Sequence, residues 1–126
     1  MQIEFENLSN ESFISSYGKN YIVIKDKKYF KNIILADDLI DENIENKILF
    51  SESLVKQKIK EVYINNFDFV LFGTGKKIHH LPAKTIELLI KNKIPYEIMS
   101  SISAFKTYNI LVSQGRKTLA FLKLDA

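Results

Sequence analysis

The sequence predicts an α/β domain of three layers, in which helices cover a mixed, largely parallel central sheet beside an N-terminal β-hairpin region. Two observations carry that expectation. Aromatic and β-branched residues separated by short turns dominate the first third of the chain, and apolar runs of strand length alternate with helical periodicity in the second half. A third observation bounds the size. The 126 residues, 46% hydrophobic and 26% charged, suit one globular domain over residues 1–126, large enough to bury a core of its own.

Residues 12–17, 21–24 and 29–35 are expected as strands. Gly18-Lys19-Asn20 and Asp26-Lys27-Lys28 have the residues that turns favour. Residues 36–47 are polar and acidic and are expected as loop, with at most a helical turn. A short helix over residues 53–59 would be capped by Ser51 or Ser53, because a serine hydroxyl accepts from the first free N–H groups. Phe69-Val70-Leu71-Phe72 is a continuous apolar run ending at glycine, the mark of a strand buried on both faces.

The spacing then predicts a helix over residues 81–92. Pro82 suits its first position, where no N–H is needed, and Ile86, Leu89 and Ile90 share one face. Residues 96–99 return as a strand, and a strand–helix–strand unit implies a parallel pair with a right-handed crossover. A last helix over residues 102–114 would be capped by Ser101 or Ser103 and closed by Gly115 in the left-handed position. Residues 118–122 complete the sheet.

The absence of cysteine excludes disulfides, thiolate nucleophiles and cysteine-ligated metal sites, and fits a reducing compartment. The net charge is only +3 and lysines alternate with carboxylates, as in Lys58-Ile59-Lys60-Glu61, so nucleic acid is not an expected partner. Glu4, Glu6 and Glu11, with no arginine near them, are unlike a transit peptide, and runs such as Ile33-Ile34-Leu35 are too short to span a bilayer. The expectation is a cytoplasmic protein without a transmembrane segment. Its abundant Ile, Lys and Asn suit an AT-rich bacterial genome.

Gly73-Thr74-Gly75-Lys76-Lys77 follows a buried strand and precedes a helix. Ligands of open α/β sheets collect at carboxyl ends of strands, and glycines let backbone N–H groups approach an anion, so this loop is a candidate small-anion site. The competing reading is a tight turn with positive φ at the glycines. Thr107-Tyr108-Asn109 lies mid-helix, where Thr and Asn are mediocre formers. Tyr108 or Asn109 hydrogen-bonding the glycine loop is one reading, and a solvent-facing polar stripe is the other. The candidate ligand-binding set is therefore Gly73, Thr74, Gly75, Tyr108 and Asn109.

His79 and His80 are adjacent and point to opposite sides of an extended segment, so they form no chelate and no metal site is expected. Ser100, Ser101 and Ser103 would need a geometry toward histidine that composition does not supply. No catalytic residue and no cofactor is assigned. Asp37-Asp38, Asp41 and Glu42 lack calcium-loop spacing and are expected in a solvated loop.

The order of these motifs resembles a family of small domains that contains the mitochondrial respiratory complex I assembly factor 3. Phe69 to Gly75 is similar to that family's hydrophobic strand followed by Gly-Thr-Gly. Pro82 opens the next helix, and residues 94–99 match a strand ending in Glu-hydrophobic-Met. Ala104, Thr107, Tyr108, Asn109 and Leu111 resemble its Ala-Cys-Arg-Thr-Tyr-Asn-hydrophobic-Leu stretch, and Gly115-Arg116 its Gly-Arg before the last strand. The match covers roughly the C-terminal half. Phe105 stands for the family's frequent Cys, Lys106 for Arg, Gln114 for Glu and Ser100 for Asp, and tryptophan is absent. Those departures remove any chemistry that would run through the Cys, Glu or Asp.

The resemblance implies a three-layer α/β fold with a mixed sheet. It also implies a non-enzymatic assembly or interaction factor with a protein partner, complex I subunits among the candidates. Such a factor would meet the inner membrane through that partner, and a self-associating surface is a further option. The runner-up is a small-molecule or anion-binding protein, an enzyme included, using the Gly73–Gly75 loop and the Pro82 helix end.

Overall fold

The computed structural model describes residues 13–36, 39–62 and 69–124, together with the backbone of residues 3–4. The N-terminal region is an antiparallel sheet of β1 (Ile3–Glu4), β2 (Ser16–Tyr17), β3 (Ile22–Ile24) and β4 (Lys27–Tyr29), in that order. The expected strand over residues 29–35 divides. Tyr29 ends β4, and β5 (Ile33–Ala36) leaves for the central sheet. The divide falls beside Asn32, a fully buried side chain that stitches separate segments together. Its Oδ1 accepts from the Leu124 N–H at 2.8 Å, and its Nδ2 donates to the Ile44 carbonyl at 2.9 Å.

The central sheet has the order β6-β5-β9-β7-β8, with β6 (Leu39–Glu42), β7 (Phe69–Gly73), β8 (Tyr96–Met99) and β9 (Thr118–Leu122). β7 runs parallel to both β8 and β9, whereas β5 is antiparallel to β6 and β9. The mixed, largely parallel sheet is therefore present. β6 is a correction, because this acidic stretch was expected as loop. It is an edge strand whose half-buried Leu39 and Asp41 alternate with exposed Ile40 and Glu42, and charge on an edge strand discourages further pairing.

The helices are α1 (Glu52–Val62), α2 (Ala83–Lys91) and α3 (Ser101–Ser113). The strand alternation sorts the core into two faces. Leu71 of β7, Leu122 of β9 and Leu35 of β5 meet Ala104, Phe105 and Tyr108 of α3, together with Ile22 and Ile24 of the N-terminal sheet. Phe72, Phe121 and Ile34, their neighbours along the same strands, meet Val55 of α1 and Leu89 of α2 on the other face. Phe72 and Phe121 are register partners and stack at 5.2 Å between ring centroids. Burial on both faces explains why these strands read as unbroken apolar runs.

Ser51 accepts from the Leu54 N–H at 3.3 Å, as expected at the start of α1. At α3 the cap is Ser100, one residue before the candidates named from sequence, and its hydroxyl accepts from the Ser103 N–H. Gly115 takes φ +75° beyond α3, and the Arg116 N–H returns to the Leu111 carbonyl at 2.9 Å, closing the helix as foreseen. α2 ends in the same way through a lysine. Lys93 holds φ +54°, and the Ile94 N–H bonds the Leu89 carbonyl at 2.9 Å.

Candidate functional site

β7 feeds α2 on one face of the sheet, and its neighbour β8 feeds α3 on the opposite face. Connections that diverge from adjacent parallel strands leave a crevice at the carboxyl ends, which is where open α/β sheets take ligands. A cavity of about 550 Å³ lies there. Thr74 and Gly75 line it after β7, Ser101 and Ile102 after β8, and Lys123 and Leu124 after β9. Lys19 and Asn20, from the turn between β2 and β3, contribute as well.

Hydrogen bonds lace the three strand ends together. The Thr74 N–H donates to the Met99 carbonyl at 2.9 Å and the Lys123 N–H to the Gly73 carbonyl at 2.9 Å. Ser101 is the hub. Its hydroxyl accepts from the Gly75 N–H at 2.8 Å and donates to the Lys123 carbonyl at 2.6 Å, while its N–H bonds the Gly75 carbonyl at 2.8 Å. The Thr74 hydroxyl donates to the Lys77 carbonyl at 2.7 Å and accepts from the His79 N–H at 3.1 Å, which folds the loop back on itself.

The two glycines do different jobs. Gly75 has φ +100°, a left-handed conformation that side chains other than glycine's resist. Gly73 has no such angle. A Cβ there would lie 3.0 Å from the Ala104 Cβ and 3.1 Å from the Ser101 Cα, so its smallness lets α3 sit close on β7. Both loop N–H groups, of Thr74 and Gly75, are already spent on protein acceptors. An anion here would be held by side chains rather than by a backbone nest.

Those side chains are cationic. Lys19, Lys76, Lys77 and Lys123 line the cavity with His79, and no Asp or Glu is among its described lining residues. The first turn of α3 adds the positive end of a helix dipole. The Pro82 helix, expected to supply that end, contributes no lining residue. Four amines therefore border one opening, and among the described lining residues no carboxylate faces them.

Of the residues proposed from sequence, Thr74 and Gly75 line the cavity and Gly73 lies beneath it. Tyr108 and Asn109 do not line it. Asn109 is buried and reaches away from the glycine loop. Its Oδ1 accepts from the Ile14 N–H at 3.1 Å and its Nδ2 donates to the Ile14 carbonyl at 2.8 Å, so the amide takes the place of a strand partner. Tyr108 is fully buried in the core beside α3. Lys19, Asn20, Ser101 and Lys123 were missed as site residues because they come together only through the sheet order. Lys123, directly after a strand buried at every position, was the one readable signal.

The acidic stretch is occupied by the chain's own lysines. Lys58, nearly buried, meets Asp41 at 2.5 Å and Glu61 at 3.1 Å, and exposed Lys27 meets Glu42 at 3.1 Å. Burial pulls the Lys58 pKa down, but hydrogen bonds and charge from Asp41 and Glu61 outweigh it and leave the value raised. Hydrogen bonds from Gln57 and Lys58 hold Glu61 below the usual carboxylate range. Asp37 and Asp38 lie outside the described residues. Among the described residues no three His, Asp or Glu side chains are grouped to hold a metal.

A family model for proteins of unknown function, DUF498/DUF598, matches residues 14–123. The chain belongs to that family. A DUF498/DUF598 chain with this sequence is also 28% identical over 116 residues to the 13 kDa major membrane protein of Francisella tularensis, covering 92% of this chain and 94% of that one. An outer membrane protein from Bartonella henselae has the same fold, with a TM-score of 0.79 at 22% identity over 95% of this chain and all of that one. A Bordetella pertussis protein described as an Mth938-like domain superposes with a TM-score of 0.75 at 21% identity, over all of this chain and 94% of that one. The resemblance seen in the sequence therefore holds at the level of a DUF498/DUF598 domain of mixed α/β fold.

Proposed function

We propose that the protein, acting as a single domain, is a non-enzymatic binding factor that grips a small anion or an anionic group, phosphate foremost, in the basic cavity. One observation carries this reading. Four lysines from three separate segments converge on the carboxyl ends of parallel strands, with no carboxylate among the described lining residues. The Ser101 hydroxyl, the candidate nucleophile nearest the site, has its proton on the Lys123 carbonyl and its lone pair on the Gly75 N–H, which fits a structural link better than a reacting group. Titrating pyrophosphate into labelled protein should shift the amides of Gly75, Lys76, Lys77 and Ile102 saturably, and the effect should weaken with salt. Silence at those four amides would sink the reading.

A second reading is favoured by α3, which exposes Ile102 at the cavity and Ile110 about two turns further along. It is the assembly or interaction factor implied by the family resemblance, with respiratory complex I subunits as the partner. Such a protein would work in a bacterial cytoplasm and meet the inner membrane through that partner. Two relatives are named as membrane proteins, and among the described residues no helix is long and apolar enough to cross a membrane. Affinity capture from gently solubilised membranes should recover complex I subunits. Recovery that does not depend on Ile102 and Ile110 would count against this surface.

A further inference from the structure

We infer that the anionic group is presented by a bilayer, so that the cavity and the outer side of α3 form one face that docks on anionic phospholipid. The inference rests on the anion reading and names the source of the anion. Three observations support it independently of any partner protein.

The first is charge. From Ile98 to Leu124 the chain contains no carboxylate, while Lys106, Arg116, Lys117 and Lys123 supply cations. The stretch from Phe69 to Ile86, which carries Lys76 and Lys77, is also free of carboxylates. These two stretches provide the loop, the helix and the strand end around the cavity, so the described residues of those walls carry no negative side chain. A surface of this kind is complementary to phosphatidylglycerol or another acidic lipid, and each lysine near such a surface adds to attachment.

The second is the exposed apolar set. Ile102 and Ile110 are 41% and 56% exposed, and with Lys106 between them they recur every fourth residue on one side of α3. The opposite side of α3, with Ala104, Phe105 and Tyr108, is fully engaged in the core. Single exposed aliphatics are common, and Ile90 of α2 is one; what sets Ile102 apart is that it lies among the lysines of the cavity. Ile78, 67% exposed, sits in the loop between Lys77 and His79, both of which line the cavity. Isoleucines entering the headgroup boundary, with lysine stems lying along it, have the composition of an interfacial surface.

The third is what this face lacks. Protein–protein hot spots favour Trp, Tyr and Arg. The chain has no tryptophan, and neither its six tyrosines nor its one arginine, Arg116, are among the described residues lining the cavity. Lysine and isoleucine suit a fluid anionic surface better than a shaped protein pocket.

The test is flotation of the whole protein with protein-free vesicles of phosphatidylglycerol and phosphatidylcholine, compared with vesicles of phosphatidylcholine alone, at low and high salt. The protein should float only with the acidic vesicles and be released by salt. Lys76→Gln with Lys77→Gln should weaken binding by about 25-fold, roughly fivefold for each lysine. Ile102→Ser and Ile110→Ser should each weaken it by about tenfold, with the melting temperature unchanged because neither side chain is in the core. Vesicle binding untouched by the isoleucine changes would overturn insertion. Failure to float, while pyrophosphate still shifts Gly75 and Ile102, would overturn the bilayer and leave the anion site standing. Failure of both would remove both readings. Binding to native membranes but not to protein-free vesicles would assign the face to a protein partner instead.

Discussion

Lysine is used in two opposite ways at the two sides of this molecule. At the β6 edge, Lys58 is nearly buried and is balanced from within the chain by Asp41 and Glu61. Around the cavity, Lys19, Lys76, Lys77 and Lys123 meet no acidic side chain among the described lining residues. An ammonium group taken from water needs a partner, and at the first site the chain supplies it. At the second site Lys19, Lys76 and Lys77 are exposed to solvent, where no internal partner is required. The same residue type is structural in one place and, on the reading proposed above, receptive in the other.

Charge reversal should give the largest contrast. Lys76→Glu with Lys123→Glu is expected to cut pyrophosphate affinity by about 100-fold, since two attractions become repulsions, while stability changes by less than about 0.5 kcal/mol. Calorimetric titration and urea denaturation of the same variant measure both. Asp41→Ala should do the reverse, costing about 1–3 kcal/mol of stability through a poorly paired buried amine, with pyrophosphate affinity intact. Affinity that falls with Asp41 would break the separation between the two sides.

A smaller effect lies in pH. The raised Lys58 value means its contribution is fully present below the ordinary lysine range and is lost as pH climbs through the folded value. The lowered Glu61 value means its contribution is present above the ordinary carboxylate range and is lost as pH falls through the folded value. Urea melts across pH should show a plateau between those limits. Lys58→Met should remove the cluster's share of the alkaline fall, and an unchanged alkaline limb would contradict the assignment. The smallest change concerns a third lysine, Lys93, whose left-handed backbone closes α2. Lys93→Gly should stabilise the protein by about 0.5–1 kcal/mol in the same melts, because glycine carries no steric penalty there.

The sequence disclosed the elements whose patterning is local. Residues 69–72 read as a continuous apolar strand and residues 70–72 are buried on both faces, residues 118–122 were placed as the strand that completes the sheet, and Pro82 and Gly115 mark helix ends through their own backbone chemistry. β6 escaped notice because an edge strand tolerates Asp41 and Glu42, which look like loop residues. The split after Tyr29 was hidden as well, since strand propensity runs through residues 29–35 and only the buried Asn32 amide reveals the change of sheet. For the site, the turn at Gly75 was legible and the basic cluster was not. Lys19 and Lys123 are 104 positions apart, and no composition window joins residues that only a folded sheet brings together.

The clasp between Asn109 and Ile14 joins residues separated by 95 positions. β5 likewise waits for β9, which runs beside it in the sheet. On the ribosome Ile14 and β5 emerge before α3 and β9, so these long-range partners arrive late. Until then the apolar residues that meet them stay uncovered, although β2–β4 and β5–β6 can already pair locally, and closure of the central sheet waits on distant contacts.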